Sequence, residues 1–260
     1  MNRITDQLNR VIQFKERPRI VSLVPSQTEL LYDLGCADDV VGITKFCIHP
    51  NDWFRNKTRV GGTKNVNFDK IDELNPDLII ANKEENTESE ILALAERYPV
   101  YISDILNITD ACQMIEDVGE MTGHKSKAIE MVQDIKSSFQ NLSSIQGNVL
   151  YLIWKNPIMV AGNNTFIGHL LNTMGLKNAI IDPEARYIEL TDDEIKAINP
   201  DYIFLSSEPY PFKDKDIKAF QVLTKANVQL VDGEMFSWYG SRMLLMADYI
   251  NTLVKNLKNH

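Results

Sequence analysis

Apolar and polar positions alternate along the chain in two periods. Residues 19–24 (RIVSLV) are a short, β-branched apolar run, the mark of a buried strand. Pro25 ends it, and Ser26 stands three residues before Glu29, a capping-box spacing that predicts a helix carrying Leu30, Leu31 and Leu34, closed by Gly35. Val40–Ile43, Leu78–Ala81 and Val100–Ile102 predict further strands, with short helices begun at Ile71 and spanning 88–97. Strands alternating with helices predict a parallel, doubly wound sheet.

After Asn107 the period becomes helical. Ala111, Met114, Ile115, Val118 and Met121 share one face, and Ala128, Ile129, Val132, Ile135, Phe139 and Leu142 continue it, with Thr109 or Asp110 as cap. One helix of about 30 residues would be about 45 Å long. Two helices broken near Gly123-His124 are the alternative. The single helix is preferred, because a glycine costs only about 1 kcal/mol there. Alternation resumes with strands at Val149–Ile153, Tyr202–Leu205 and Val228–Val231. A helix capped by Asn163, Asn164 or Thr165 ends at Gly175, and a last helix runs from about Ser241 to Leu257.

An internal echo sets the organisation. DKIDELNPDLII (69–80) and DEIKAINPDYIF (193–204) share six identities at a constant offset of 124 residues, on either side of the helical stretch. Two related lobes are therefore expected, with Asp69 and Asp193 at equivalent surface positions. The fold class is α/β: two doubly wound parallel-sheet lobes joined by one long interdomain α-helix. The expected division is 1–108, 109–142 and 143–260. The length of 260 residues suits two ordinary domains.

A net charge of −9 argues against nucleic acid as a partner. Three widely spaced cysteines (Cys36, Cys47 and Cys112) make no disulfide framework and are expected as buried thiols. No run approaches the ~20 apolar residues of a membrane span, and the opening MNRITDQ has no secretory apolar stretch. Either the protein stays in the cytoplasm or a leader has been removed.

Ligands of open parallel sheets sit beyond the carboxyl ends of the strands. The loops there carry Phe46 and His49, then Lys83, Glu84 and Glu85, then Trp154, and finally DGEMFSWYGSR with Trp238, Tyr239 and Arg242. Glycines bracket that last aromatic group, so it reads as a small-molecule face, with a core role as the alternative. Cys47 and His49 form a C-x-H pair, but two ligands do not make a metal site. Motifs for nucleotide binding, nucleophile-elbow hydrolysis and zinc proteolysis do not occur.

RIVSLVPSQTELLYDLG, VVGITKF, the NPDLIIA run and the helical stretch together resemble the helical-backbone substrate-binding proteins of ABC importers, which bind cobalamin, iron–siderophores, haem or metal ions. Among these the chain looks most similar to the cobalamin binders. The resemblance implies a monomer that is not an enzyme, holds no covalently attached cofactor, and captures a metal chelate between its lobes for delivery to a membrane permease. The implied location is periplasmic or membrane-associated. Trp238 and Arg242 match the family's aromatic–arginine loop. Phe46 falls where cobalamin binders have Tyr, Thr63 and Asn82 where they have Trp, and Tyr187 near a further Trp. Asp69 and Asp193 match the acidic residues that dock on permease arginines, where the family usually has Glu. A cytoplasmic corrinoid or iron-chelate carrier, or a chelatase-like enzyme using His49 with Glu84 or Glu85, are the alternatives.

Overall fold

The computed structural model describes residues 2–259. They form two compact units. One contains the chain through Ile105, Thr109–Lys136 and Tyr239–Leu244; the other contains Leu106–Ile108, Ser137–Trp238 and the residues from Leu245 on.

The first unit opens with a hairpin of β1 (Asn2–Thr5) and β2 (Val11–Phe14), not foreseen from the sequence. Buried Asp6 holds its turn, accepting from the backbone N–H groups of Leu8, Arg10 and Ile102 and from the Arg10 guanidinium. Then follow β3 (Ile20–Ser22), α1 (Pro25–Leu34), β4 (Val40–Ile43), α2 (Asn51–Asn56), β5 (Thr58–Arg59), α3 (Phe68–Leu74), β6 (Leu78–Asn82), α4 (Glu88–Ala95) and β7 (Val100–Ser103). The five strands after the hairpin pair in parallel in the order β5-β4-β3-β6-β7. Val21, Leu23, Ile79, Ala81, Val100 and Ile102 build the core on one face with Ile71, Ile91 and Leu94. The capping box expected at Ser26 is not used. Val24 is the N-cap and Pro25 starts the helix, its ring already holding a helical φ.

The helical stretch is broken, contrary to the single-helix expectation. Helix α5 (Ile108–Thr122) ends and α6 (Lys125–Gln140) begins with two residues between. Gly123 is left-handed at φ 76, while its N–H reaches Glu120 O and that of His124 reaches Gly119 O, which is a Schellman stop. A Cβ on Gly119 would stand 2.3 Å from Ala128 Cβ. Nine residues along one helix span about 13.5 Å, so α6 turns back at this corner. The close packing of Gly119 on Ala128 outweighs the local preference for continuing the helix. The residues of α6 belong to the first unit through Lys136 and to the second from Ser137.

The second unit contains β8 (Asn148–Trp154), β9 (Ile158–Ala161), α7 (Phe166–Thr173), β10 (Lys177–Asn178), β11 (Tyr187–Leu190), α8 (Asp192–Ile198), β12 (Tyr202–Ser206), α9 (Asp214–Leu223), β13 (Asn227–Val231), α10 (Glu234–Ser237) and α11 (Met243–Lys258). Strands β8, β12 and β13 are parallel, while β9 and β11 extend the sheet as antiparallel strands on one side. Among the described residues no helix is long and apolar enough to cross a membrane.

The echo has a structural counterpart in each unit. Helices α3 and α8 both stop at a left-handed Asn, Asn75 at φ 44 and Asn199 at φ 48, and Pro then blocks continuation. The next residue hooks the neighbouring strand. Asp77 donates its N–H to Arg19 O and accepts from Arg19 N–H, and Asp201 does the same with Asn148. Asp69 and Asp193 each occupy the second position of their helix, both exposed.

Candidate functional site

At the carboxyl edge of the first sheet the loops are built from buried polar side chains. Asn82 ends β6. Its Oδ1 accepts from the N–H groups of Glu84 and Glu85, and its Nδ2 donates to Ser103 O and Oγ at 3.1 and 3.0 Å. Asn86 closes the loop, accepting from Asn82 N–H and donating to Leu23 O and Thr63 O. These two asparagines thus present Lys83 and Glu85 to solvent on a fastened turn, with Lys83 paired to Asp104. Asn82 and Thr63, the positions matched to tryptophans of cobalamin binders, are 2% and 8% exposed and act as internal braces.

After β4, Phe46 is half exposed, its ring beneath Lys45 Nζ at 5.1 Å and against the bare backbone of Gly62. Beside it the Cys47 thiol is fully buried, receiving the Thr28 hydroxyl at 3.1 Å and lying 3.2 Å from Thr44 Oγ1. Burial pushes this thiol above its ordinary value. Cys47 therefore serves packing. His49 follows, partly exposed, and among the described residues neither joins a metal-binding group of three.

One residue at this edge escaped the sequence reading. Gln27, fully buried in the first turn of α1, donates to Ser103 Oγ and leaves its Oε1 without a hydrogen-bond partner. A buried unpaired amide oxygen is costly, about 1–3 kcal/mol, and marks a position where a ligand or water donor fits. The available signal was a polar residue in the first turn after a buried strand.

The segment Tyr239–Leu244 belongs to this same unit and gives Arg242 a partner inside it. Gly240, at φ 111, brings the backbone against Ser26 O and Leu30. Arg242 then forks onto Glu29, Nε to Oε2 at 2.8 Å and Nη2 to Oε1 at 2.6 Å. The guanidinium expected at the ligand is committed to a structural ion pair. Ser241 Oγ, buried beside it, has no hydrogen-bond partner.

In the second unit the aromatic loop is mainly core. Phe236 is wholly buried against Tyr151 and Phe204, with ring centroids at 5.0 and 6.2 Å. Trp238, 7% exposed, donates its indole N–H to Glu208 Oε1 at 2.9 Å, and Ser237 Oγ donates to the same oxygen. Tyr239, which belongs to the first unit, is also buried. The expectation that Trp238 and Tyr239 present open faces is therefore corrected: Glu208 draws the indole inward. The exposed ring at this carboxyl edge is Trp154, at the end of β8, edge-on to Tyr210 at 5.7 Å. Tyr187 is also exposed, but it pairs with Ala161, three residues of register from the Leu190–Ile158 end near Trp154. At about 3.3 Å per residue that is about 10 Å away. The antiparallel run of β9 and β11 causes the separation.

Comparison with known proteins identifies the family. A family model described as "Periplasmic binding protein" matches residues 20–227. The uncharacterized ABC transporter substrate-binding lipoprotein YvrC of Bacillus subtilis is 31% identical over 214 residues, 77% of this chain and 67% of that protein. A vitamin B12-binding protein of Vibrio cholerae is 25% identical over 198 residues, 72% of this chain and 70% of its own. Among solved structures, the periplasmic vitamin B12-binding protein BtuF of Vibrio cholerae superposes with a TM-score of 0.77 at 20% identity, covering 95% of this chain and 100% of that one. The periplasmic heme-binding protein RhuT of Roseiflexus sp. RS-1 gives 0.77 at 19% identity, covering 93% and 98%. These matches set the chelatase alternative aside. The chain belongs to the periplasmic binding protein family, in its two-lobed helical-backbone class, and is an ABC-type substrate-binding protein rather than an enzyme.

Proposed function

We propose that this protein captures a corrinoid, using the carboxyl edges of its two sheets as ligand faces, and presents it to an ABC permease. The observation that carries the reading is the pair of exposed rings, Phe46 after β4 and Trp154 at the end of β8, each on the strand edge where parallel sheets bind ligands. Aromatic faces cover a flat macrocycle, while Lys83 and Glu85 supply polar contacts. The vitamin B12-binding relatives support this ligand class. Asp69 and Asp193, equivalent and exposed, are suited to ion pairing with basic permease residues.

Cobalamin, cobinamide, haem and ferric siderophores should be titrated while following tryptophan fluorescence. Trp53 and Trp238 are buried, so Trp154 is the indole placed to report on binding. Saturation by cobalamin or cobinamide, with haem and siderophores binding more weakly, is the expected result. Saturation by haem or a siderophore alone would reassign the ligand. No saturable binding below about 100 μM to any of the four would defeat the proposal, because that affinity is already only about −5.5 kcal/mol.

A further inference from the structure

At the opposite edge of the first sheet, three side chains of different chemistry converge. Helix α1 leaves the carboxyl end of β3 and finishes near the start of β4, where Asp39 O accepts the N–H of Ile20. Here the Cys36 thiol, an Asp39 carboxylate oxygen and a His124 imidazole nitrogen all lie within 4.8 Å of one another. No other group of three such ligands occurs among the described residues. We infer that Cys36, Asp39 and His124 form a binding site for a divalent transition-metal ion of the zinc type, separate from the ligand-capturing edge.

The backbone prepares this arrangement. Cys36 follows the left-handed Gly35 at the end of α1, with Gly35 N–H on Tyr32 O and Cys36 N–H on Leu31 O. His124 follows the left-handed Gly123 at the end of α5, with Gly123 N–H on Glu120 O and its own N–H on Gly119 O. Both ligands thus occupy the same position in two Schellman motifs, where the backbone is fixed by two hydrogen bonds. Asp39 is set by a tight turn, its N–H donating to Cys36 O at 3.2 Å. A Cβ on Gly35 would stand 3.8 Å from His124 Cε1, so the two stops are side by side.

Helices α1 and α5 end here, and their carboxyl ends carry partial negative charge, while α6 begins at Lys125 and its amino end opposes them, so the case for a cation rests on the convergence of the three ligands. The Thr122 hydroxyl donates to Val118 O, and Asp39 and Lys127 are the charged groups near the Cys36 thiol. Cys36 is fully buried, whereas Asp39 and His124 are partly exposed, which leaves an approach for the ion. Ligands of a tetrahedral zinc stand about 3.3–3.8 Å apart, given bonds of about 2.0–2.3 Å. Closing by about 1 Å is a rotamer-scale adjustment. Thiolate with imidazole selects zinc, cobalt and similar ions over magnesium or calcium. A bound ion would tie the α1–β4 turn to the α5–α6 corner.

The test uses the full chain, stripped with chelator and titrated with Co²⁺ and then Zn²⁺. One equivalent of Co²⁺ should produce a thiolate-to-cobalt charge-transfer band in the near ultraviolet, which Zn²⁺ abolishes. Cys36→Ser should remove the band. His124→Gln and Asp39→Asn, at partly exposed positions, should each weaken Zn²⁺ binding by about tenfold or more, since even an outer hydrogen-bonding partner is worth about 10–100-fold. His49→Gln should change nothing. Absence of the band in the wild-type protein, an unchanged Zn²⁺ affinity in His124→Gln, or loss of the band in His49→Gln would each overturn the site. If Cys36→Ser fails to fold, the other two variants decide the matter.

Discussion

Replacing Arg242 by Met separates a structural arginine from a ligand-reading one. The guanidinium meets Glu29 through two parallel hydrogen bonds of 2.8 and 2.6 Å, and the side chains are only 10% and 18% exposed. Exposed ion pairs contribute up to about 1 kcal/mol, whereas removing one partner of a buried pair costs about 3–5 kcal/mol. A pair this nearly enclosed falls between, so Arg242→Met should destabilise by about 2–3 kcal/mol, chiefly by stranding the Glu29 carboxylate. Because about 1 kcal/mol moves the melting temperature of a 150–250-residue protein by about 2–4 °C, a fall of about 4–12 °C is expected. Glu29→Gln combined with Arg242→Met should recover most of it, leaving a coupling of at least about 1 kcal/mol in a double-mutant cycle. Urea denaturation followed by circular dichroism measures all four proteins. An Arg242→Met protein within about 0.5 kcal/mol of wild type that no longer binds cobalamin would refute the structural assignment.

Four other outcomes are expected. Trp154→Ala, at a 39% exposed position, should lower corrinoid affinity by about 3–10-fold with little loss of stability, as read by calorimetric titration. Gly119→Ala should destabilise by about 1–3 kcal/mol despite its better helix propensity, and Ala128→Gly should relieve it, because the new methyl would meet Ala128 Cβ at 2.3 Å; urea unfolding of the single and double variants checks this. Burial alone would raise the Asp216 carboxyl, but hydrogen bonds from Lys155 and the Lys213 N–H outweigh it and hold the group below its ordinary 3.8. Its stabilising contribution is therefore full above that value and lost as pH falls through the lower folded value, so Asp216→Asn should be less stable near neutrality and converge on wild type in acid denaturation. Reversing Asp69 and Asp193 to Arg should abolish ligand-stimulated ATP hydrolysis by a reconstituted cognate permease while ligand affinity stays unchanged.

Much of the framework was legible because it rests on short-range rules. Strands β3, β4, β6, β12 and β13 are short apolar runs, and their predicted limits agree with the structure to within one or two residues. The Asn-Pro-Asp echo announced a matching helix stop in each unit, and the structure adds that a left-handed Asn makes it. The candidate loops after β4, β6 and β8 also lie where the alternating pattern placed them. The residues within those loops were harder to assign. Whether an indole faces a ligand or the core depends on Glu208, 30 positions from Trp238. Whether Glu29 caps its own helix or binds an arginine depends on a residue 213 positions away.

By itself, then, the sequence determined the parallel strands at the centre of each sheet, the Asn-Pro-Asp echo and the family, because propensity, periodicity and turn chemistry act within a few neighbouring residues. Tertiary structure alone decided that the helical stretch breaks, that Trp238 is buried, that Arg242 is an internal tie and that Cys36 meets Asp39 and His124. Each depends on contacts between residues distant in sequence or across a turn, and their energies of about 1–3 kcal/mol exceed the local preferences that sequence patterns record.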